Sequence, residues 1–212
     1  MTTKQQVVAY FDFDGTLSNR DTFLPFLLKV VGVWHFILQS PWLLIIGLTY
    51  LLKIIDNEQA KSRILQRLIC GLSKKQLEHY AEQFASLHLS KYIKPEIFAR
   101  LEWHREHGHT LYLVSANLAI YLRYWVQLHN LDGVIATELE FDQHQCATGN
   151  LATANCFGAE KVRRIQAYLQ IQQLNFDYIY AYGNSRGDYE MLEYANEGFY
   201  VSGDKFEPWP IK

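Results

Sequence analysis

Short apolar runs alternate with amphipathic stretches along most of this chain, and one long greasy segment interrupts the alternation. Val7–Phe13 (VVAYFDF) is a β-prone run closed by Gly15 and predicts a buried strand. Pro95–His107 has helical periodicity, opens on proline and stops at Gly108, the usual punctuation of a helix. Thr110–Ser115 (TLYLVS) predicts a second strand, with a helix from about Leu118 to His129 behind it. Val134–Thr137 predicts a third strand with a hairpin-like tail through Gly149, and Ala159–Ile171 a helix. Tyr178–Tyr182 predicts a strand whose alternating tyrosines pack the sheet. A helix over Gly187–Ala195 and a last strand over Phe199–Ser202 complete the series. Strand and helix in alternation predict an α/β fold with a parallel sheet covered by helices.

Residues 23–92 break that rhythm and hold no convincing strand. Their later part, Asn57–His88, is an ordinary amphipathic helical sequence. Their earlier part is much greasier: from Phe23 to Ile55 the clearly polar residues are Lys29, His35, Gln39, Ser40, Thr49 and Lys53. Gln39-Ser40-Pro41 is expected to break this part in two, which leaves Trp42–Leu52 shorter than the ~20 residues of a spanning helix. Either this run is buried inside the helical insertion, or a membrane surface, a lipid substrate or a partner subunit covers it. The expected organisation is therefore a catalytic core of residues 1–22 and 93–212, with residues 23–92 as a helical cap over the sheet.

Composition narrows the class. At 212 residues, 49% hydrophobic and 20% charged, the chain is an ordinary folded protein. Its net charge of −2 gives no basic field for nucleic acid. Cys70, Cys146 and Cys156 are odd in number and lack CxxC spacing, which points to a reducing compartment rather than a disulfide framework or a zinc site. The opening MTTKQQ runs straight into a strand, so no secretory signal is expected and a cytoplasmic setting is. The histidines of Trp103–His109 straddle a helix end and predict a solvated terminus rather than a metal site.

The chemistry concentrates in YFDFDGTLSNRD. On an extended strand residues i and i+2 point the same way, so Asp12 and Asp14 present carboxylates together while Phe13 goes to the core. Gly15 and Thr16 let the backbone turn and offer amides to an anion. Two carboxylates at a strand's end can hold one Mg²⁺ and divide two tasks, attack on phosphorus and proton transfer at the leaving oxygen. A calcium loop would need glycine at its sixth position and glutamate at its twelfth, and neither is present.

This DFDGT segment resembles the first motif of the haloacid dehalogenase superfamily, whose phosphatases carry DxDGT. The resemblance extends in order along the chain. LYLVSAN supplies Ser115 for the phosphoryl oxygen, NCFGAEKV supplies Lys161 to neutralise the phosphate and nucleophile, and YGNSRGDYEML supplies Asp188 near the metal. It implies a Rossmann-like core with a cap of the type inserted after the first motif, as in the phosphoserine phosphatase-like branch (subfamily IB). It further implies Mg²⁺ held by Asp12, Asp14, Asn184 and Asp188, with Asp12 as nucleophile and Asp14 as acid and base. Backbone amides near Gly15 and Ala116, with Asn117 beside them, are expected to meet the phosphoryl group. Where many relatives have GDxxxD, this chain has Asn184, an oxygen donor without charge.

The substrate is then a phosphate monoester. Asp21 falls where phosphoserine phosphatases carry an acidic residue that meets the substrate's amine, and equally where an N-cap would stand. Arg63 and Arg67 on the cap are candidates to hold a substrate anion, the alternative being solvated helix arginines. The greasy cap resembles phosphatidylglycerophosphatase C-type members of the same branch, which ranks a lipid-linked phosphate above free phosphoserine or another small metabolite. A phosphotransferase, or a non-catalytic phospho-ligand binder on the same fold, would have the same motifs.

Overall fold

Five apolar residues at Val7–Phe11 can fill both faces of a sheet at once, and all but Val7 are buried. The computed structural model describes residues 5–209; Met1–Lys4, where the sequence was read for a signal, and the last three residues lie outside them. In chain order the strands are β1 (Val7–Phe11), β2 (Thr110–Leu118), β3 (Gly133–Thr137), β4 (Leu139–Phe141), β5 (Ala147–Leu151), β6 (Tyr178–Gly183), β7 (Glu197–Ser202) and β8 (Lys205–Pro208). The main sheet has the order β3-β2-β1-β6-β7-β8, parallel except for β8, and β4 and β5 form a separate hairpin. The expected α/β architecture is present. β2 runs three residues past Ser115, with a register shift against β3 there. The strand β8 was not legible: KFEP has poor β-propensity, and it pairs because the turn at Gly203 (φ 58°) folds it back on β7.

The helices are α1 (Phe23–Val31), α2 (Val33–Leu51), α3 (Asn57–Leu68), α4 (Lys74–Leu87), α5 (Pro95–Glu106), α6 (Ala119–Leu128), α7 (Ala159–Gln172) and α8 (Tyr189–Tyr194). Asp56 and Ser73 cap α3 and α4, each with a glutamine three residues on that closes a capping box. Residues 23–92 are helical, as expected, but they share a core with the sheet. Phe26 of α1 and Phe84 of α4 meet Tyr121 of α6 with ring centroids 4.7 and 5.4 Å apart. Such aromatic pairs contribute about 0.5–1.5 kcal/mol each beyond their burial. The two connecting segments also bind each other, through the Ser18–Ile93 bridge and the bond from Asn19 N to Tyr92 O.

Two expectations about local structure are corrected. Pro41 lies inside α2 and does not end it. A proline leaves the carbonyl four residues back without its donor; here the Ser40 hydroxyl donates to Ile37 O at 2.7 Å and supplies the missing bond. The helix therefore runs 19 residues, about 28 Å at 1.5 Å per residue. Nor is it a buried helix: only Ile46 is buried, while Trp34 is 85% and Leu51 76% exposed. The second correction is His104, which is fully buried rather than solvated. It follows Ile97 and Leu101 at helical spacing and so shares their core-facing side of α5. Its ring meets His109 Nδ1 at 2.7 Å and the Tyr182 hydroxyl at 2.9 Å, and burial depresses its pKa to about 3.

Candidate active site

The C-terminal ends of β1, β2 and β6 open on a cavity of about 460 Å³, roofed by α2 and α3. Ligands of open parallel sheets bind at that end. After β1 the backbone makes a turn with Asp14 at φ −74°, ψ 119° and Gly15 at φ 77°, ψ −13°, the angles of a type II turn. Its third position needs positive φ, which glycine adopts freely. Space imposes the same choice, since a Cβ on Gly15 would lie 2.2 Å from Asn184 Nδ2.

Lys161, on the first turn of α7, is buried under this loop. Its ammonium donates to Asp12 Oδ1 (2.7 Å), Asp188 Oδ1 (2.6 Å) and the carbonyl of Val114 (2.9 Å). Burial opposes its charge, but the Asp12 and Asp188 carboxylates outweigh that and hold it protonated. Burial, then the charge of Asp188, push Asp12 up to about 6 against the pull of Lys161. The other oxygen of Asp188 accepts from Asn184 N, Ser185 N and the Ser185 hydroxyl, which ties the loop after β6 to this ion cluster.

Asp14 faces a different set of partners. Thr22 donates to its Oδ1 from both amide (3.2 Å) and hydroxyl (2.6 Å), and the Asn117 amide donates to its Oδ2. Because the single Thr22 proton goes to Asp14, the buried Tyr121 hydroxyl donates to Thr22, 2.9 Å away. Burial, then nearby Asp21, raise Asp14 to about 7. A carboxyl near neutrality can both give and take a proton.

The structure thus brings Asp12, Asp14, Ser115, Ala116, Asn117, Lys161, Asn184, Asp188, Gly15 and Asp21 to one cavity. Several sit otherwise than expected. The Gly15 amide points to the Ser18 hydroxyl at 3.3 Å, so Gly15 contributes its bare Cα more than its N–H. Asn117 uses its side chain to hold Asp14 and Thr22. Asp21 lines the cavity and also accepts from Phe23 N, so it starts α1 as well. Arg63 is exposed and not part of the lining; it lies two residues, about 200° of helix, from the inward-facing Lys61. Arg67 is likewise outside, bonded to Gln39 and stacked 5.4 Å over Trp42, where it fastens α2 to α3.

Two lysines were missed. Lys61 lines the cavity from α3 and donates to Ala116 O (2.5 Å) and Asn155 Oδ1 (2.8 Å). Burial lowers its pKa to about 8, against the pull of Asp21 and Asp14. The spacing Asn57, Lys61, Ile64 on one helix face was the available signal, since all three line the cavity. Lys94, at the junction with α5, donates to the carbonyls of Gly15 (2.6 Å) and Gly203 (2.7 Å) and so fixes the turn from behind. No sequence pattern marks it, because both of its acceptors are backbone atoms distant in the chain.

The family model of haloacid dehalogenase-like hydrolases matches residues 9–193. Among curated proteins the chain is similar to protein CicA of Caulobacter vibrioides, 26% identical over 92% of this chain and 86% of that protein. Among solved structures it resembles a protein of unknown function from Bordetella pertussis Tohama I, with TM-score 0.81 and 21% identity over 92% and 89% of the two chains. It also resembles a substrate-bound phosphoserine phosphatase, with TM-score 0.63 and 17% identity over 92% and 85%. The family match begins inside β1 and ends inside α8, and so takes in every strand-end loop that feeds the cavity; the chain belongs to the haloacid dehalogenase-like hydrolases and shares its fold with the phosphoserine phosphatases of that family.

Proposed function

We propose that this protein is a Mg²⁺-dependent phosphomonoesterase that works through an aspartyl-phosphate on Asp12, and that its substrate is a lipid-linked phosphate such as phosphatidylglycerophosphate. The observation that carries the chemistry is the division of the two carboxylates. Asp12 is paired with Lys161, while Asp14 stands in its own niche, hydrogen-bonded by Thr22 and Asn117, where burial and then Asp21 favour its protonated form. A carboxylate oxygen of Asp12 attacks phosphorus and the ester P–O bond breaks. The departing alkoxide takes its proton from Asp14. Asp14, now anionic, accepts a proton from the water that attacks the phosphoryl group. The P–O bond to Asp12 then breaks, releasing phosphate and restoring both carboxyls. Lys161 offsets charge on the transferring group throughout, and Asn117 and Thr22 aim Asp14.

The residues present fit a hard cation. The Thr16 hydroxyl lies 3.1 Å from both Asp12 Oδ2 and Asn184 Oδ1, and its one proton can serve only one of these two oxygens at a time. Asp12 and Asn184 would therefore hold Mg²⁺, which commonly keeps several waters and takes one or two carboxylates plus substrate phosphate. The ion would supply charge stabilisation to the phosphoryl oxygens. Asn184→Asp is expected to lower the Mg²⁺ concentration for half-maximal activity several-fold at fixed ionic strength. An unchanged requirement would remove Asn184 from the ligand set.

The lipid assignment rests on α2. Trp34, Ile37, Leu38, Trp42, Leu44, Ile45, Leu48 and Leu51 are exposed over about half its circumference, wider than the stripe one packed helix covers. A bilayer surface covers so broad a face. The protein should float with vesicles of phosphatidylglycerol and phosphatidylcholine. Leu38→Asp with Leu44→Asp should weaken that binding on the order of 10²-fold, since each exposed leucine transfers about 1.5 kcal/mol or more. Wild-type protein that stays with the solution, or forms a stable dimer insensitive to vesicles, would refute it. Preference for free phosphoserine over a phosphorylated lipid would instead return Asp21 to an amine-binding role.

A further inference from the structure

A second cavity, of about 600 Å³, opens where α2 ends and α3 begins. Tyr50, Leu51, Ile54 and Ile55 supply its apolar lining, and Lys53 and Asp56 its charges. Tyr50 also stands in the wall of the catalytic cavity, beside Phe23, Ala60 and Ile64. The two cavities therefore share the side chain of Tyr50, itself 42% exposed.

The groove has a fixed floor. After α2 the backbone turns through Lys53 in the left-handed region (φ 57°), with Ile54 N bonded back to Thr49 O. The turn sends Ile55 inward, where it is 6% exposed and clusters with Ile46 and Ala60, while Ile54 is left 67% exposed. An exposed stripe on α2, made of Ile37, Leu44, Leu48 and Leu51, leads to this groove at Leu51. Its helical spacing of 7, 4 and 3 residues keeps those four side chains on one face. Leu51 is thus common to the stripe and the groove, and Tyr50 to the groove and the catalytic cavity.

We propose that this groove is the subsite for an apolar chain on the substrate's leaving alcohol. The phosphate lies over Asp12, the alcohol beneath α3, and the chain leaves past Tyr50 over Leu51 and Ile54. The assignment rests on the reading of the catalytic cavity as a phosphatase site. A head group that fits the catalytic cavity alone gains nothing from the groove, so selectivity arises from chain length. Binding energy realised at such a distance from phosphorus can be used in the transition state.

The test uses monomeric n-alkyl phosphates from ethyl to octyl. In the wild-type protein kcat/KM is expected to rise with chain length, by up to about fourfold per methylene, and then level off once the groove is filled. Leu51→Asp and Ile54→Asp should each flatten the octyl-to-ethyl ratio measured within the same variant. Ile171→Asp, which removes an exposed apolar side chain on α7, should leave that ratio as it is. A second readout needs no turnover: octylphosphonate should bind Asp12→Asn protein more tightly than ethylphosphonate by calorimetry, and Leu51→Asp should abolish the difference. Turnover without chain-length preference would overturn the groove and leave the phosphatase standing. No turnover, with octylphosphonate still preferred through Leu51, would do the reverse. A preference that survives both Asp substitutions would also overturn the groove.

Discussion

Asp12→Asn is expected to lower phosphate release from p-nitrophenyl phosphate by roughly 10⁴-fold or more, the scale seen when a covalent nucleophile is removed. An amide oxygen is a poor nucleophile, and neither Asp14 nor Asp188, the carboxylates packed around Asp12, is free to replace it. Both oxygens of Asp14 are bound by Thr22 and Asn117, and both of Asp188 by Lys161 and the loop at Ser185. The fold should survive. Asparagine keeps an oxygen for the Thr16 hydroxyl, and Lys161 retains Asp188 at 2.6 Å and Val114 O at 2.9 Å. Acid-quenched wild-type protein should carry one phosphoryl group on the peptide containing Asp12, and the variant none. Near-normal turnover by a folded Asp12→Asn protein would refute covalent catalysis at this position.

Lys161→Met should destabilise the fold by about 3–5 kcal/mol at neutral pH, because it strands two buried carboxylates without their cation. Their side chains are 8% and 1% exposed, so water cannot replace the ammonium. For a chain of this size the loss corresponds to a fall in Tm on the order of 10 °C. The sign with pH follows from the direction of the shift. Asp12 already titrates at about 6 in the folded state, above its ordinary 3.8, and removing Lys161 takes away the main influence lowering it. A carboxyl raised in the folded state is penalised once the pH is high enough to ionise it. The deficit relative to wild type should therefore be large at pH 8 and shrink as pH falls through about 6. Mg²⁺ should restore part of it at pH 8, in proportion as the cation replaces the lost charge. A Tm within a degree or two of wild type, or the same deficit at pH 8 and pH 5, would mean that this ion cluster does not hold the site together.

The two variants probe different links of the same cluster. Asp12→Asn removes a negative charge from a site with an excess of them, so its cost falls on chemistry. Lys161→Met removes the positive charge that the buried carboxylates share, so its cost falls on the fold as well. Comparing phosphate release with Tm in both proteins separates the two contributions.

By itself the sequence determined the order of the elements and which candidate residues stand near their ends. Strand and helix periods are local, so β1, β2, β6 and the helices after them could be read from alternating patterns. Asp12 and Asp14 were legible as a carboxylate pair closing an apolar strand, but the strand ends at Phe11 and a turn, not a shared strand face, gives the two their different partners. Ser115, Lys161 and Asp188 were legible through the family resemblance, and the structure brings them to the same cavity. What tertiary structure decided concerns partners distant in the chain. The hydrogen bonds that hold Asp14 come from Thr22 and Asn117, with Tyr121 behind Thr22, partners up to 107 residues away in sequence that no local pattern announces. Lys94 acts on two backbone carbonyls and has no motif to mark it. Arg63 and Lys61 differ by two positions, which on a helix is the difference between solvent and cavity. The run around α2 illustrates the same limit. Its composition announced a greasy helix, but not whether Pro41 would break it, because the answer depended on a rotamer of Ser40 reaching Ile37 O. Nor could composition say whether the apolar face would be covered, since burial is set by which elements the fold places around the helix, and here the fold leaves most of it bare.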